Sequence, residues 1–273
     1  MAKDLARLDG MTALVIGGGG GGIGRAVSIE LARGGAKVAV ADVDLARAQA
    51  VQKEIEGEGL AAIAMQANAL KAEESAALVE KAWTQLSGID VLAMIVGGNR
   101  GLAPWQTAEH NTDKQWADVM DMNLNYVFYA VRAVLPKMVQ RGRGGSIVGI
   151  GSLSGIAGSP RHFAYGIAKA GVIHMAKSIA IEYGQHGIRM NTVSPGRIHT
   201  PATSDTITEA QLKTFSERIP LARIGESQDI ASAVRFFASP ASSYISGQNL
   251  MVDGGVTARF PVPLPGTAPY ETF

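Results

Sequence analysis

Six consecutive glycines, Gly17 to Gly22, stand within the stretch "VIGGGGGGIG" at 15–24. Glycine costs roughly 0.5–1 kcal/mol more than alanine to order. Six of them therefore belong either to a flexible linker or to a turn that needs bare backbone. The flanks argue for the turn. Upstream, Thr12–Ile16 ("TALVI") is an apolar run of the kind that makes a buried strand. Downstream, Ile23, Ala26, Val27 and Leu31 recur at helical spacing, Gly34-Gly35 closes that helix, and Lys37–Ala41 reads as a second buried strand ending at Asp42. Strand, glycine turn, helix and strand within about thirty residues form a dinucleotide-binding unit. Glycines let the backbone approach a pyrophosphate, and the helix N-terminus offers free N–H groups and partial positive charge.

The alternation continues. Helix-like 44–56 leads to strand-like 60–66, then helix 71–87 and strand 90–96. A long helical stretch at 113–141 precedes strand 145–150, helix 164–184 precedes strand 188–193, and helix 227–238 precedes strand 248–252. Seven strands separated by helical crossovers predict a doubly wound parallel sheet covered on both faces. No proline-rich break divides 1–255, so that span reads as one domain. Residues 256–273 ("VTARFPVPLPGTAPYETF") carry four prolines and no helical period, and read as an extended tail whose aromatics could pack on the body.

Composition removes several function classes. Net charge is +1, so no strong field draws nucleic acid or a membrane surface. There are no cysteines, and five scattered histidines show no metal-ligand spacing, so no metal site is expected. The start, "MAKDLARLDG", lacks a signal-peptide core, and no apolar run reaches the length of a membrane span. A cytoplasmic protein is the expectation.

A second constellation carries chemistry. "SGIAGSPRHFAYGIAK" places Tyr165 and Lys169 at i, i+4 on one helix face. The pair alone is a weak signal, equally suited to an amphipathic surface. Its position strengthens it: Ser152 lies just beyond strand 145–150 and Tyr165 opens the next helix, so both reach the carboxyl edge of the sheet, beside the glycine turn. A tyrosine with a pKa of about 10 is a poor base at neutral pH. A lysine ammonium about 4 Å away contributes roughly 4 kcal/mol at an effective dielectric near 20, enough to lower the phenol substantially. Tyr165 is then expected to be a proton shuttle tuned by Lys169, with Ser152 donating to a developing alkoxide.

With these motifs in order, the chain resembles the short-chain dehydrogenase/reductase family over about 1–255. The matching pieces are "GGGGGIG" at 18–24, "MNL" at 122–124, "GSIVGIGS" at 145–152, "YGIAK" at 165–169, "RMNTVSPG" at 189–196 and "YISGQNLMVDGG" at 244–255. The resemblance implies a single-domain Rossmann fold and a nicotinamide cofactor. It implies Asn123 as a fourth catalytic residue holding a water in the relay behind Lys169, and Lys169 as a ligand of the nicotinamide ribose. Gly18, Gly20, Gly21, Gly22, Ile23 and Gly24 would carry the pyrophosphate. Asn68 would face the adenine, Ala69, Ile95 and Gly97 would also contact the cofactor, and Pro195, Gly196, Ile198 and Thr200 would line the nicotinamide. Four positions depart from the family pattern: Gly17 for a threonine, "MIVG" at 94–97 for "NNAG", Asn68 for an aspartate and Gly149 for an asparagine. The amide oxygen of Asn68 is expected to accept from the adenine amine.

Asp42 follows Gly24 by eighteen residues. A carboxylate there accepts from ribose hydroxyls and repels a 2′-phosphate, and Gly21 lacks the basic side chain common in NADP-preferring relatives, so NAD is favoured. The expected activity is an NAD-dependent oxidoreductase interconverting a secondary alcohol and a ketone. The alternatives are an NADPH-dependent 3-oxoacyl reductase and a catalytically silent NAD-binding regulatory protein. Trp105, His162 and the 197–220 segment are expected to wall a hydrophobic substrate pocket with Ser152 and Tyr165. The resemblance further implies a homotetramer through helices 113–141 and 164–184 and the final strand. Ala130, Val134 and Met138 are read as a face suited to close helix contact between subunits.

Overall fold

In the first strand, β1 (Thr12–Ile16), side chains alternate between two cores. Ala13 and Val15 enter one apolar cluster and Leu14 and Ile16 the other, all essentially without solvent contact. This double burial is what a central parallel strand requires, and it explains a continuous apolar run instead of alternation. The computed structural model describes residues 4–99, 106–201 and 208–258. Trp105 and the extension from residue 259 onward lie outside the described residues.

Strands β2 (Lys37–Asp42), β3 (Ala62–Gln66), β4 (Val91–Met94), β5 (Gly145–Ile150) and β6 (Ile188–Pro195) join β1 in a parallel sheet. Two short strands, β7 (Ile198–His199) and β8 (Gly225–Glu226), pair separately, and β9 (Asn249–Val252) closes the main sheet. The order is β3-β2-β1-β4-β5-β6-β9, with every neighbour parallel. The order reverses between β1 and β4, which opens a crevice at their carboxyl ends, where sheets of this kind bind ligands.

Helices α1 (Ile23–Arg33) and α2 (Leu45–Gly57) follow β1 and β2, and α3 (Ala72–Leu86) follows β3. The long helical stretch expected over 113–141 is helical throughout, with one irregularity inside it. Helix α4 (Asp113–Met120) runs into a π-helical turn over Asp121–Asn125 before α5 (Tyr126–Arg141). Helix α6 (Phe163–Tyr183) follows β5. The 197–220 segment, read only as a pocket wall, contains β7 and a capped helix α7 (Glu209–Ser216). Helix α8 (Ser227–Ala238) packs with α1 in the first core, while α3, α5 and α6 cover the second. Ala130, Val134 and Met138 are fully buried in that second core, so they do not form the intersubunit face proposed for them. The face of α5 that packs on the sheet and the face left outside were indistinguishable from spacing alone. No helix among the described residues is long and apolar enough to cross a membrane.

Candidate active site

The glycine turn is held by contacts that leave no room for side chains. The backbone of Gly17 has φ +85°, and a Cβ there would lie 2.8 Å from Val96 Cγ2 and 2.9 Å from Val96 N. A Cβ on Gly24 would collide with the carbonyl oxygen of Gly17. At Gly19 it would meet Ala48 N at 2.8 Å and Asp42 Cβ at 2.9 Å, so the turn rests directly on the start of α2. Gly20 and Gly21, in contrast, would place a Cβ at ordinary contact distance, 3.6 Å from Gly17 O and from Pro201 Cγ respectively. Gly22 caps α1 without a side-chain hydrogen bond, which leaves the first N–H groups of the helix for a ligand. A tight, bare backbone beside an uncapped helix start fits a pyrophosphate.

Asp42 ends β2 almost fully buried. Its Oδ1 accepts from the backbone N–H of Asp44 at 3.1 Å and from Arg47 Nη2 at 2.9 Å. Asn68 accepts from Leu70 N through Oδ1 at 3.1 Å, closing its own turn. Its amide oxygen is therefore already engaged, and only its second lone pair could serve the adenine contact expected of it. Ala69 is buried beside it. Ile95 donates its N–H to Ile16 O at 2.9 Å, which ties the β4 exit to β1.

Across the crevice, Asn123 sits fully buried in the π turn, a device that aims one side chain by adding a residue to the helix. Its Oδ1 accepts from Gly98 N at 2.8 Å, while Nδ2 donates to Gly98 O at 2.8 Å and to Val119 O at 2.9 Å. Gly97 passes between this amide and Lys169. A Cβ on it would lie 2.9 Å from Lys169 Nζ and 3.0 Å from Asn123 Oδ1. The structure thus brings Asn123 and Lys169 to one point of backbone. The Gly97-Gly98 pair was the sequence signal for this close approach, and Gly98 is a partner that spacing did not identify.

Lys169 is 2% exposed, and Nζ donates to the Ile150 carbonyl at 3.0 Å. Burial lowers its pKa from the ordinary lysine value to about 8. Nζ stands 5.7 Å from the centre of the Tyr165 ring. Burial raises the Tyr165 phenol, and a hydrogen bond with Ser152 opposes the rise. The sequence expectation is a phenol lowered by Lys169, with a bound nicotinamide adding to it; in the protein itself the direction is upward. Removal of the phenol from water is the largest cause, and Lys169, desolvated and donating to the Ile150 carbonyl, does not offset it. Ser152 is extended at the end of β5, and its hydroxyl also accepts from Ser154 N at 3.2 Å.

His162 precedes α6 and meets the Tyr165 ring edge-on at 5.5 Å, with Nδ1 3.2 Å from Ser154 Oγ. Burial lowers its pKa, so it is a neutral imidazole at pH 7. Gly196 donates its N–H to Val252 O at 2.9 Å after Pro195 ends β6. Thr200 overhangs the glycine turn, with its Cβ 3.1 Å from where a Gly22 Cβ would be, and Ile198 is buried below it. Part of the 197–220 segment borders a cavity of about 260 Å³ lined by Ile198, Ile219, Leu221, Met251 and Val252, none of them from the Ser152–Tyr165 group. Among the described residues no cluster of three histidines or carboxylates could hold a metal ion.

A crevice at the strand-order reversal, flanked by a bare glycine turn and by Ser152, Tyr165 and the buried Lys169, is the arrangement of an oxidoreductase built on a doubly wound sheet. The comparisons agree. The family model described as Enoyl-(Acyl carrier protein) reductase matches residues 18–257. The 3-oxoacyl-(acyl-carrier-protein) reductase FabG of Staphylococcus aureus is 37% identical over 246 residues, covering 89% of this chain and 96% of the relative. The L-rhamnose 1-dehydrogenase (NAD(P)(+)) of Azotobacter vinelandii is 33% identical over 248 residues, covering 89% and 95%. A 7α-hydroxysteroid dehydrogenase complexed with NADH and 7-oxo glycochenodeoxycholic acid superimposes with a TM-score of 0.85 at 33% identity, covering 93% of this chain and 98% of that one. The chain belongs to the short-chain dehydrogenase/reductase family of oxidoreductases.

Proposed function

We propose that this protein is an NAD-preferring dehydrogenase/reductase that interconverts a secondary alcohol and a ketone. The observation that carries the reading is the buried Lys169 of α6, whose Nζ donates to the Ile150 carbonyl at the end of β5 at 3.0 Å and stands 5.7 Å from the Tyr165 ring centre. In alcohol oxidation the Tyr165 phenolate takes the hydroxyl proton, and Ser152 donates a hydrogen bond to the oxygen as charge develops on it. Lys169 in its ammonium form stabilises that phenolate, an interaction strengthened by the same burial that penalises either charge alone. Asn123 and Gly98 hold the β4 exit against Lys169, which keeps the ammonium from swinging away. The nicotinamide cofactor, when bound, accepts or supplies the hydride. In the reductive direction the same groups run in reverse, and Tyr165 donates the proton.

Asp42 supports NAD, because its Oδ2 is open to ribose hydroxyls while Oδ1 is braced by Asp44 and Arg47. Ile198, Ile219 and Leu221, which border the neighbouring cavity together with charged side chains such as Arg197 and Asp253, support a substrate with a hydrophobic part. The reading predicts NAD reduction by the purified protein with at least one member of a panel of cyclic and acyclic secondary alcohols, abolished by Tyr165→Phe. A second reading, reduction of 3-oxoacyl thioesters with NADPH, is favoured by the FabG likeness. Parallel assays with a 3-oxoacyl thioester decide between them by kcat/KM. Absence of turnover with every alcohol, ketone and thioester, while NAD still binds, would leave the regulatory reading instead.

A further inference from the structure

The cavity of about 260 Å³ beside β7 has walls that are tied to one another. Gly225 donates its N–H to the Arg197 carbonyl at 3.0 Å, and Leu221 N donates to Gly254 O at 3.2 Å. A Cβ on Gly254 would lie 2.5 Å from Ile219 Cγ2, so the exit of β9 rests on the 219–221 turn. Ala222, between two lining residues, holds φ +53°, a left-handed conformation that alanine seldom takes. Ile198, Ile219, Leu221, Met251 and Val252 make the wall largely apolar.

Four charged side chains also line the cavity, and three of them are satisfied. Arg223 and Asp229 form a forked pair, with Nη1 2.7 Å from Oδ2 and Nη2 2.8 Å from Oδ1. Asp253 accepts from Gly255 N at 2.9 Å through Oδ1, and from Thr257 N and Oγ1 at 2.8 and 2.6 Å through Oδ2. Arg197 is the exception. Its Cζ stands 3.7 Å from the centre of the Phe215 ring of α7, a distance that a ring reaches against the face of the guanidinium. Stacking of that kind uses none of the five in-plane N–H donors, and among the described residues no carboxylate pairs with them. Partial cover lowers the pKa of Arg197, whereas the bond to Asp229 raises that of Arg223, so only one of the two cations is compensated.

We propose that this cavity binds a carboxylate carried on a compact apolar body, with Arg197 as its anchor. Phe215 holds the guanidinium plane, which leaves the N–H edge set for the forked contact that a carboxylate matches. The apolar wall covers the remainder of the ligand. The volume lies just below the usual range of small-molecule sites, roughly 300–1,000 Å³, so the body is a short or medium chain. The cavity shares no lining residue with Ser152, Tyr165 and Lys169. The carboxylate is therefore either the far end of the substrate or a separate ligand, with the same chemistry in both cases. In the first case the site rests on the dehydrogenase reading and narrows its substrate to a hydroxy or keto acid; in the second it is independent of that reading.

Calorimetric titration of the full-length protein with octanoate and with octanamide gives a ratio of affinities that reads the charge. The wild type is expected to favour octanoate about tenfold, the scale of one charge-assisted hydrogen bond discounted for exposure. Arg197→Gln is expected to bring the ratio close to one while octanamide still binds. Leu221→Asp, at a side chain 67% exposed, is expected to keep the fold and lose octanoate, because it sets a like charge in the wall. Inhibition kinetics then separate the two sources. Octanoate that raises KM for a ketone substrate assigns the carboxylate to the substrate, and octanoate that binds without changing KM assigns it to a separate ligand. A ratio unchanged in Arg197→Gln, or a wild type that binds no octanoate, would overturn the site. Octanoate binding without turnover of any alcohol or ketone would leave the site standing and overturn the dehydrogenase reading.

Discussion

Gly17 and Val96 occupy complementary positions across the β1–β4 crevice, with the valine side chain filling the space that a Cβ on Gly17 would need. Both are departures from the usual family pattern, one in the turn after β1 and one in the segment after β4. They meet in space, so each makes sense only with the other. A glycine with φ +85° lets the β1 exit bend tightly, and the valine packs into the space so created.

Gly17→Ala is therefore expected to destabilise the protein by about 1–3 kcal/mol, through strain at positive φ and overpacking against Val96. Urea denaturation measures it. Val96→Ala in the same background should recover only part of the loss, because the backbone nitrogen of Val96 also stands within 3 Å of the added methyl. Full recovery would mean that the backbone at Gly17 carries no strain.

Tyr165→Phe should lower kcat by about 10²–10⁴-fold, the range for removal of a general acid–base group. Nicotinamide dinucleotide binding, followed by fluorescence quenching, should remain within a few fold, since the phenol serves the substrate oxygen. Turnover within tenfold of wild type would assign the proton transfer to another group.

Lys169 gives a pH-dependent stability signature. Its pKa in the folded chain, about 8, lies below the ordinary value of 10.5, so between those values the unfolded chain binds more protons and stability rises with pH. Below pH 8 the buried ammonium costs the fold on the order of 3 kcal/mol. Lys169→Met should be more stable than wild type at pH 7, and the gap should narrow steadily toward pH 10. Thermal melts across that range check it, and a gap that does not depend on pH would show that Lys169 is ordinarily solvated. Tyr165 enters only above about pH 10, where a phenol raised by burial makes the folded chain lose stability.

Asp42→Ala should narrow the preference for NAD over NADP, measured as the ratio of kcat/KM values for the two cofactors. A wild-type preference for NADP would show that Asp42 does not serve as the selector.

Assembly is expected to use the helices and final strand named from the sequence, through outer faces other than that of Ala130, Val134 and Met138. Phe128, Phe163 and Ile167 remain exposed on α5 and α6, with Trp116 beside Phe163, and Tyr244 and Leu250 are exposed near β9. A tetramer by light scattering at micromolar concentration, broken to smaller species by Phe128→Glu, is the expected outcome. A wild-type monomer would reject it.

The parallel sheet and its crossovers were legible because strands buried on both faces are apolar runs, and helices such as α1 carry their period openly. The places of Ser152, Tyr165 and Lys169 followed from the same reading, since the end of a strand and the start of a helix fix an edge. What escaped depended on three-dimensional approach. The π turn has no period of its own within 113–141, so Asn123 emerged from resemblance, not from spacing. Arg47 was one more polar residue on an amphipathic helix, distinguishable from its neighbours only once α2 had been laid against β2. The Lys169–Ile150 contact joins a side chain to a backbone carbonyl, a pairing that leaves no mark in residue identity.

The π turn at Asp121–Asn125 also limits which changes of length this chain can tolerate. A helix advances about 100° per residue, so deleting one residue there would restore regular α geometry and rotate everything before it by that angle. Asn123 could not then keep both hydrogen bonds to Gly98 and the contact with the Val119 carbonyl. The outer face of α4 can vary freely in composition, but the residue count between Thr112 and Tyr126 cannot. Insertions and deletions in this part of the chain should be confined to the loop before α4, where they leave the phase of the helix untouched.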